Sequence, residues 1–406
     1  MKKIYFLLTS ALIGFASQTN AQDCSGNRYY NPIFSSVSTT NNVEYGRNLK
    51  QDGTTEEILA MDIYVPDGDT ETERPLVIFA HGGSFIGGNR ADMAAKCQSL
   101  AKMGYVAASI SYRLLSIDAS VMINPGLEFQ KEVVRAVHDM RAAVRFFRKS
   151  VSENGNPYGI NPNLIIVGGV SAGAILANHA AYLDTEQKIP SVLQSYFTAQ
   201  GGLEGNSGNP GYSSVPQMVV SLCGAISDTT WIETGDQPIV GVHNTDDNVV
   251  PNMAGQPNIG VTIPITLYGD SLIYKRTLSQ NVSSSYMSVN STGHCVFPPE
   301  ADDFVRNFMH DQICVQHLAV KQNPSTVLFS VYPNPAKTSF FVDVPSNDWD
   351  FTVSVIDLLG KEVYREALPM HQNVLEIQSG NFRSGMYVVK ITSKEGKEAL
   401  KKIVIE

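Results

Sequence analysis

Five short runs, PLVIFA (75–80), YVAASISY (105–112), LIIVGG (164–169), MVVSLC (218–223) and PIVGV (238–242), are apolar almost without interruption. A strand with one face in water alternates apolar and polar residues. A nearly continuous apolar run is required where both faces of a sheet are buried. Between the second and third runs, Val133, Val137, Met140, Val144 and Phe147 recur at helical spacing, and Phe304 to Ile313 reads as a last helix. Strand and helix in alternation define an α/β fold with a mainly parallel central sheet. The preceding stretch EILAMDIYV (57–65) alternates instead, and is expected to be an antiparallel edge strand.

This pattern holds from about residue 42 to 320. Beyond VKQNPSTVLFSVYPNPAKTS the texture changes to short β-rich runs separated by Gly, Asn, Pro and Ser turns. These predict a small all-β sandwich over 327–406, with the boundary near 318–326. At the other end, Lys2 and Lys3 precede an apolar stretch and a small-residue site ending at Ala21. Residues 1–21 therefore read as a cleavable export signal, too short in its apolar part to span a bilayer. The larger domain is then 22–320, and no later segment reaches the length of a transmembrane helix.

The chain has 39 acidic residues against 30 basic ones, and the basic residues form no long cluster, which argues against a nucleic-acid partner. Hydrophobic residues make up 43% and charged residues 17%, as in a globular chain and not a disordered one. Five cysteines leave at least one thiol unpaired, and Cys295–Cys314 and Cys24–Cys97 are the expected disulfides. No cysteine or histidine pair has zinc-ligand spacing, so no metal site is expected.

The third apolar run leads into Gly169-Val170-Ser171-Ala172-Gly173, a G-x-S-x-G between strand and helix. A hydroxyl on such a turn is presented to substrate at the positive end of a helix, and glycines on either side permit the close approach that the turn demands. The first run leads into His81-Gly82-Gly83-Ser84-Phe85, a loop able to offer bare N–H groups to an oxyanion, with His81 itself read as structural. The strand at 238–242 leads to the adjacent carboxylates Asp246 and Asp247. His294 follows Gly293 in a loop before the last helix. Of eight histidines, it is the one placed to reach the sheet's carboxyl edge as a general base. Gly-rich loop, serine, aspartate and histidine occur in the order used by hydrolases that act through an activated serine.

On the pieces HGGSFIGG, YRL, GVSAGA, HNTDDNVVP and GH, residues 40–316 resemble the α/β-hydrolase carboxylesterases, in particular secreted bacterial esterases with an HGG oxyanion loop. The resemblance implies Ser171 as nucleophile, His294 as general base and the N–H groups of Gly82, Gly83 and Ala172 as the oxyanion hole. The family's H-x-x-x-D-x-x-V-P pattern begins at His243 and selects Asp247 over Asp246 as the acid. Three positions depart from the family: Val170 stands where an acid is usual, Ser84 replaces a third glycine, and Asn244 replaces the glycine usual after His243. Residues 327–406, through YPNPA, Gly385-Met386-Tyr387 and a closing lysine-rich strand, resemble the C-terminal sorting domain of the type IX secretion pathway of Bacteroidetes. That likeness implies the type IX machinery as a partner and a destination outside the cell, released or attached to its surface.

The expected reaction is hydrolysis of a short-chain or carbohydrate-linked carboxylic ester, free or on a polysaccharide, through an acyl-enzyme and without a cofactor. Feruloyl or acetyl xylan esterase, lipase and serine peptidase are alternatives on the same three residues, and a non-catalytic surface binding module is a further one. Phe85 and Trp231 are expected to line the substrate pocket, and the segment from Gln194 to Trp231 to line or cap it.

Overall fold

The structure, a computed structural model, describes residues 27–318, 329–332, 336–344, 350–357, 361–369, 374–394 and 398–405. The leader expected over 1–21, Cys24 and nearly all of the expected boundary segment lie outside the described residues. The chain divides into two compact units, Met1–His317 and Leu318–Glu406.

The larger unit is built on an eight-stranded sheet. Its strands are β1 (Val37–Leu49), β2 (Glu56–Pro66), β3 (Arg74–Ala80), β4 (Val106–Ile110), β5 (Ile160–Val170), β6 (Met218–Leu222), β7 (Ile239–Asp246) and β8 (Ser284–Thr292). They lie in the order β1-β2-β4-β3-β5-β6-β7-β8. The pairs β1–β2 and β2–β4 are antiparallel, and every later pair is parallel. The helices are α1 (Ala94–Lys102), α2 (Ala119–Ile123), α3 (Pro125–Glu153), α4 (Ala172–Tyr182), α5 (Gln194–Ala199), α6 (Asp270–Ser279) and α7 (Glu300–Leu318).

The five apolar runs occupy the five central strands, and β3 shows why they had to be apolar throughout. Leu76 and Ile78 join the core on one face of the sheet, while Val77 and Phe79 join the core on the other. Each such side chain stabilises the fold by about 2 kcal/mol when fully buried. The expectation for EILAMDIYV needs a correction, because β2 is antiparallel but is not the edge. The edge is β1, VSTTNNVEYGRNL, whose mostly polar, solvent-facing residues carry little apolar signal.

The smaller unit is antiparallel throughout its paired strands. Three strands, Ser330–Tyr332, Ser339–Asp343 and Val374–Gln378, form one sheet, and four, Glu362–Leu368, Phe351–Ile356, Gly385–Ser393 and Glu398–Ile405, form a second. Phe340 and Val342 from the first sheet and Val353, Val389 and Ile403 from the second share one core, which makes the unit a small sandwich.

Candidate active site

Parallel register brings the ends of β3, β5, β6 and β7 to one edge of the sheet. Ala80 pairs with Gly169, Val170 with Leu222, and Leu222 with Val242. The segments that leave these strands therefore emerge side by side. Ser171 sits between β5 and α4 with φ 56° and ψ −118°, a region that non-glycine residues rarely occupy. Its N–H donates to Leu222 O at 2.8 Å. The turn closes only because of its glycines: a Cβ on Gly173 would lie 2.1 Å from Ala80 O.

His294 Nε2 lies 2.7 Å from Ser171 Oγ, and His294 Nδ1 lies 2.7 Å from Asp247 Oδ2. The other Asp247 oxygen accepts the N–H groups of Val249 at 2.8 Å and Val250 at 3.0 Å. Asp246 faces solvent. Behind Asp247 stands His243, fully buried, with Nδ1 2.9 Å from Asp270 Oδ2 and Nε2 shared between Val250 O at 3.1 Å and Asp247 Oδ2 at 3.4 Å. Burial alone would lower the His243 pKa, but hydrogen bonds to Asp247 and Asp270 outweigh it and push it up to about 9. Burial likewise opposes ionisation of Asp247, yet its bonds from His243, His294 and the Val249 N–H hold its carboxyl far below the usual range. The result is a chain of alternating acids and imidazoles, Asp270–His243–Asp247–His294, that ends at the serine.

The HGG loop borders the same point. Gly83 has φ 114°, and a Cβ there would lie 2.2 Å from Gly87 O. Its carbonyl accepts from Ile86 and Gly87, while among the described residues the N–H groups of Gly82, Gly83 and Ala172 donate to nothing. Tyr112 fixes this loop by donating its hydroxyl to His81 O at 2.8 Å and stacking on the His81 ring at 4.4 Å. The segment is itself anchored by Arg113, whose guanidinium meets buried Asp139 of α3 at 2.8 Å. The YRL run thus holds the glycine loop in place.

Ser171 opens onto a cleft lined mainly by apolar side chains. Phe85 and Trp231 both line it. Phe129, Val133 and Val137 of α3, Ile175 of α4, Leu183, Ile189 and Leu193, and the stretch from Val249 through Ile259, Ile263 and Ile265 to Leu267 make up most of the rest. The polar exceptions include His179, whose Nδ1 meets Ile175 O and whose Nε2 accepts from Ser227 Oγ. Burial lowers the His179 pKa to about 4, so the ring is neutral.

Of the segment Gln194–Trp231, expected to line or cap the pocket, Ser227 and Trp231 line it. The glycine-rich part is drawn to α3 instead. His138, Arg141, Arg145 and Arg148 form one stripe of that helix and bond Gly202 O, Leu203 O, Gly208 O and Ser213 O respectively. The cysteine expectations are also corrected. Cys295 pairs with Cys223, not with Cys314. Cys97 is a free buried thiol, and Cys314 is disulfide-bonded. Among the described residues, the one cluster with metal-ligating groups is Cys223, His294 and Cys295, and both of its sulfurs are committed to that disulfide.

Residues 61–205 match the BD-FAE family model, and residues 330–406 match the model described as Secretion system C-terminal sorting domain. A curated relative, an endo-acting ulvan lyase of Formosa agariphila, is 29% identical over 98 residues, which are 23% of this chain and 18% of the lyase. The chain thus spans under a fifth of that protein's length. Among solved structures, a truncated carbohydrate esterase from gut microbiota is 19% identical with a TM-score of 0.48, covering 68% of this chain and 96% of its own. A thermophilic esterase of Thermogutta terrifontis, bound to propionate, is also 19% identical with a TM-score of 0.47, covering 71% of this chain and 98% of its own.

Residues 61–205 are thus described by the BD-FAE family model, within a domain of α/β-hydrolase fold. Residues 330–406 form a secretion-system C-terminal sorting domain, which marks the protein for export to the cell surface or outside. No helix among the described residues is long and apolar enough to cross a membrane.

Proposed function

We propose that this protein is a serine carboxylesterase that hydrolyses carbohydrate-linked carboxylic esters, with Ser171 as nucleophile, His294 as general base and Asp247 as its partner acid. The observation that carries the reading is the unbroken set of hydrogen bonds from Asp247 through His294 to Ser171 at the mouth of an apolar cavity. His294 Nε2 takes the Ser171 proton as Oγ attacks the ester carbonyl. Asp247 holds the Nδ1–H tautomer and stabilises the imidazolium that forms. The free N–H groups of Gly82, Gly83 and Ala172 receive the tetrahedral oxyanion, each contributing on the order of 10²–10³ in turnover. His294 then returns its proton to the leaving sugar oxygen and activates water against the acyl-enzyme. Residues 1–21 act as the export leader and 327–406 as the removable sorting tail.

The cavity is walled by branched aliphatic side chains with Phe85 and Trp231 beside them, which favours an apolar acyl group larger than acetyl on the acyl side. The sugar lies toward the open mouth. The test is a series of p-nitrophenyl esters from acetate to palmitate, followed by acylated oligosaccharides, with Ser171→Ala alongside. Activity that requires Ser171 and rises beyond acetate supports the reading, and equal hydrolysis by Ser171→Ala overturns it.

A further inference from the structure

The loop that carries His294 leaves β8, the outermost strand of the sheet, and runs to α7. Among the described residues, no backbone N–H from His294 to Phe297 bonds another backbone group. The loop is nonetheless held. Cys295, next to His294, is joined to Cys223, which directly follows Leu222, the acceptor of the Ser171 N–H. Cys223 is itself fastened, since its N–H donates to Val242 O at 2.8 Å and the neighbouring Gly224 N–H to Asp270 Oδ2 at 3.0 Å. On the other side, Asn244 Oδ1 accepts the Val296 N–H at 3.0 Å, and its Nδ2 donates to Val296 O at 2.7 Å and Ser291 Oγ at 2.6 Å. Asn244 is fully buried, at a position where the resembling esterases carry glycine. Gly293 at φ 108° and Cys295 at φ 56° turn the chain sharply on each side of the imidazole, a conformation that Cys295 keeps only while it is constrained.

We propose that the Cys223–Cys295 disulfide and Asn244 form a two-point clamp that positions His294 over Ser171, so that reducing the disulfide turns the enzyme down. This rests on the roles proposed above for Ser171 and His294. The disulfide ties the strand end beside the nucleophile to the residue after the base, and Asn244 replaces the missing backbone bonds of the loop. Cys295 Sγ lies 3.4 Å from His294 Nε2, so the bridge borders the reacting groups without being one of them. Cys223 is buried and Cys295 is partly exposed, so a reductant meets the bond from the Cys295 side. A dithiothreitol thiolate attacks Cys295 Sγ and releases the Cys223 thiolate, which takes up a proton. Closure of the reagent's ring then frees Cys295, and two electrons and two protons have passed to the protein.

The experiment uses the full chain as wild type, Cys223→Ala/Cys295→Ala, Asn244→Gly and Cys314→Ser. It measures kcat and KM on a p-nitrophenyl ester, with and without dithiothreitol, and hydrogen exchange across the chain, with the peptide over residues 291–299 as reporter. Misplacing a general base by about an ångström costs on the order of 10²-fold, so kcat is expected to fall about that far in the double variant and in reduced wild type. KM should stay within about twofold and exchange should rise in 291–299 alone. Reoxidation restores the wild type, the double variant ignores reductant, Asn244→Gly raises the same exchange, and Cys314→Ser keeps both the kcat and the sensitivity of wild type. The clamp is overturned if the double variant keeps its kcat and its exchange pattern, or if exchange rises across the whole domain, which would make the bond a general staple. Should wild type show no turnover dependent on Ser171, the esterase reading fails and exchange over 291–299 still decides whether the loop is clamped.

Discussion

Replacing Asp247 by asparagine changes one atom and reverses one hydrogen bond. Asp247 Oδ1 is held by the Val249 and Val250 N–H groups at 2.8 and 3.0 Å, so the amide oxygen of asparagine takes that place. Its NH₂ group then faces His294 Nδ1, where Oδ2 now lies at 2.7 Å. An NH₂ group cannot accept the Nδ1–H, so the imidazole turns to the tautomer that carries its proton on Nε2. That tautomer cannot take a proton from Ser171. The imidazolium formed in the transition state also loses its counter-charge. Two unit charges at 2.7 Å and an effective dielectric near 20 attract by about 6 kcal/mol, or about 4 kcal/mol with charge spread over ring and carboxylate. Together the two effects give a fall in kcat on the order of 10⁴, near 5 kcal/mol. Asp246 is exposed, and Asp246→Asn should stay within about threefold. Steady-state kinetics on a p-nitrophenyl ester, with circular dichroism to confirm folding, compare the two. A loss below tenfold for Asp247→Asn, or an equal loss for Asp246→Asn, would mean that Asp247 does not hold the His294 tautomer.

His243 makes stability depend on pH in the alkaline range. Its folded pKa, about 9, lies above the ordinary histidine value of about 6.5, so its contribution is complete below 6.5 and disappears as pH rises through 9. Urea unfolding should show on the order of 3 kcal/mol less stability at pH 10 than at pH 6, and His243→Asn should remove that difference. Gly173→Ala sets a Cβ 2.1 Å from Ala80 O, where only backbone can give way, so a loss of about 3 kcal/mol or more is expected in the same assay. Val133 lines the cavity from α3, and Val133→Phe should lower kcat/KM for hexanoate at least about tenfold while sparing acetate.

The strands that were legible in the sequence are those buried on both faces, because burial on two sides forbids polar residues and leaves a continuous apolar run. The strands β1 and β8 gave no such signal: each edge strand faces solvent over much of its length, and VSTTNNVEYGRNL and SSYMSVNST read like loops. Ser171 was legible from a local motif because its strained turn needs Gly169 and Gly173 within two residues of it. Asp247 was marked only by the H-x-x-x-D-x-x-V-P pattern of the resembling esterases, and His294 only by its loop after Gly293 and before the last helix; in the structure each follows a strand end on the Ser171 side of the sheet. Contacts across long separations were not legible. Cys223 and Cys295 are 72 residues apart, and cysteine spacing contains no information on which pairs approach. The partnership of His243 with Asp270 depends on the N-terminus of α6 packing beside β7, which no pattern in either segment announces. The glycine-rich segment after α5 was expected to line or cap the pocket because it comes after the helix that follows Ser171. Its partner is the polar stripe of α3 at His138, Arg141, Arg145 and Arg148, which the apolar period of that helix does not mark.

The most direct test of the account is to trap the covalent intermediate. The exported protein is mixed with a slowly deacylated p-nitrophenyl ester, quenched in acid within the burst, and its mass and peptide map are measured. One acyl group per chain, located on Ser171, is expected in wild type and none in Ser171→Ala. An acyl group on another residue, or rapid turnover with no acylated serine, would contradict it.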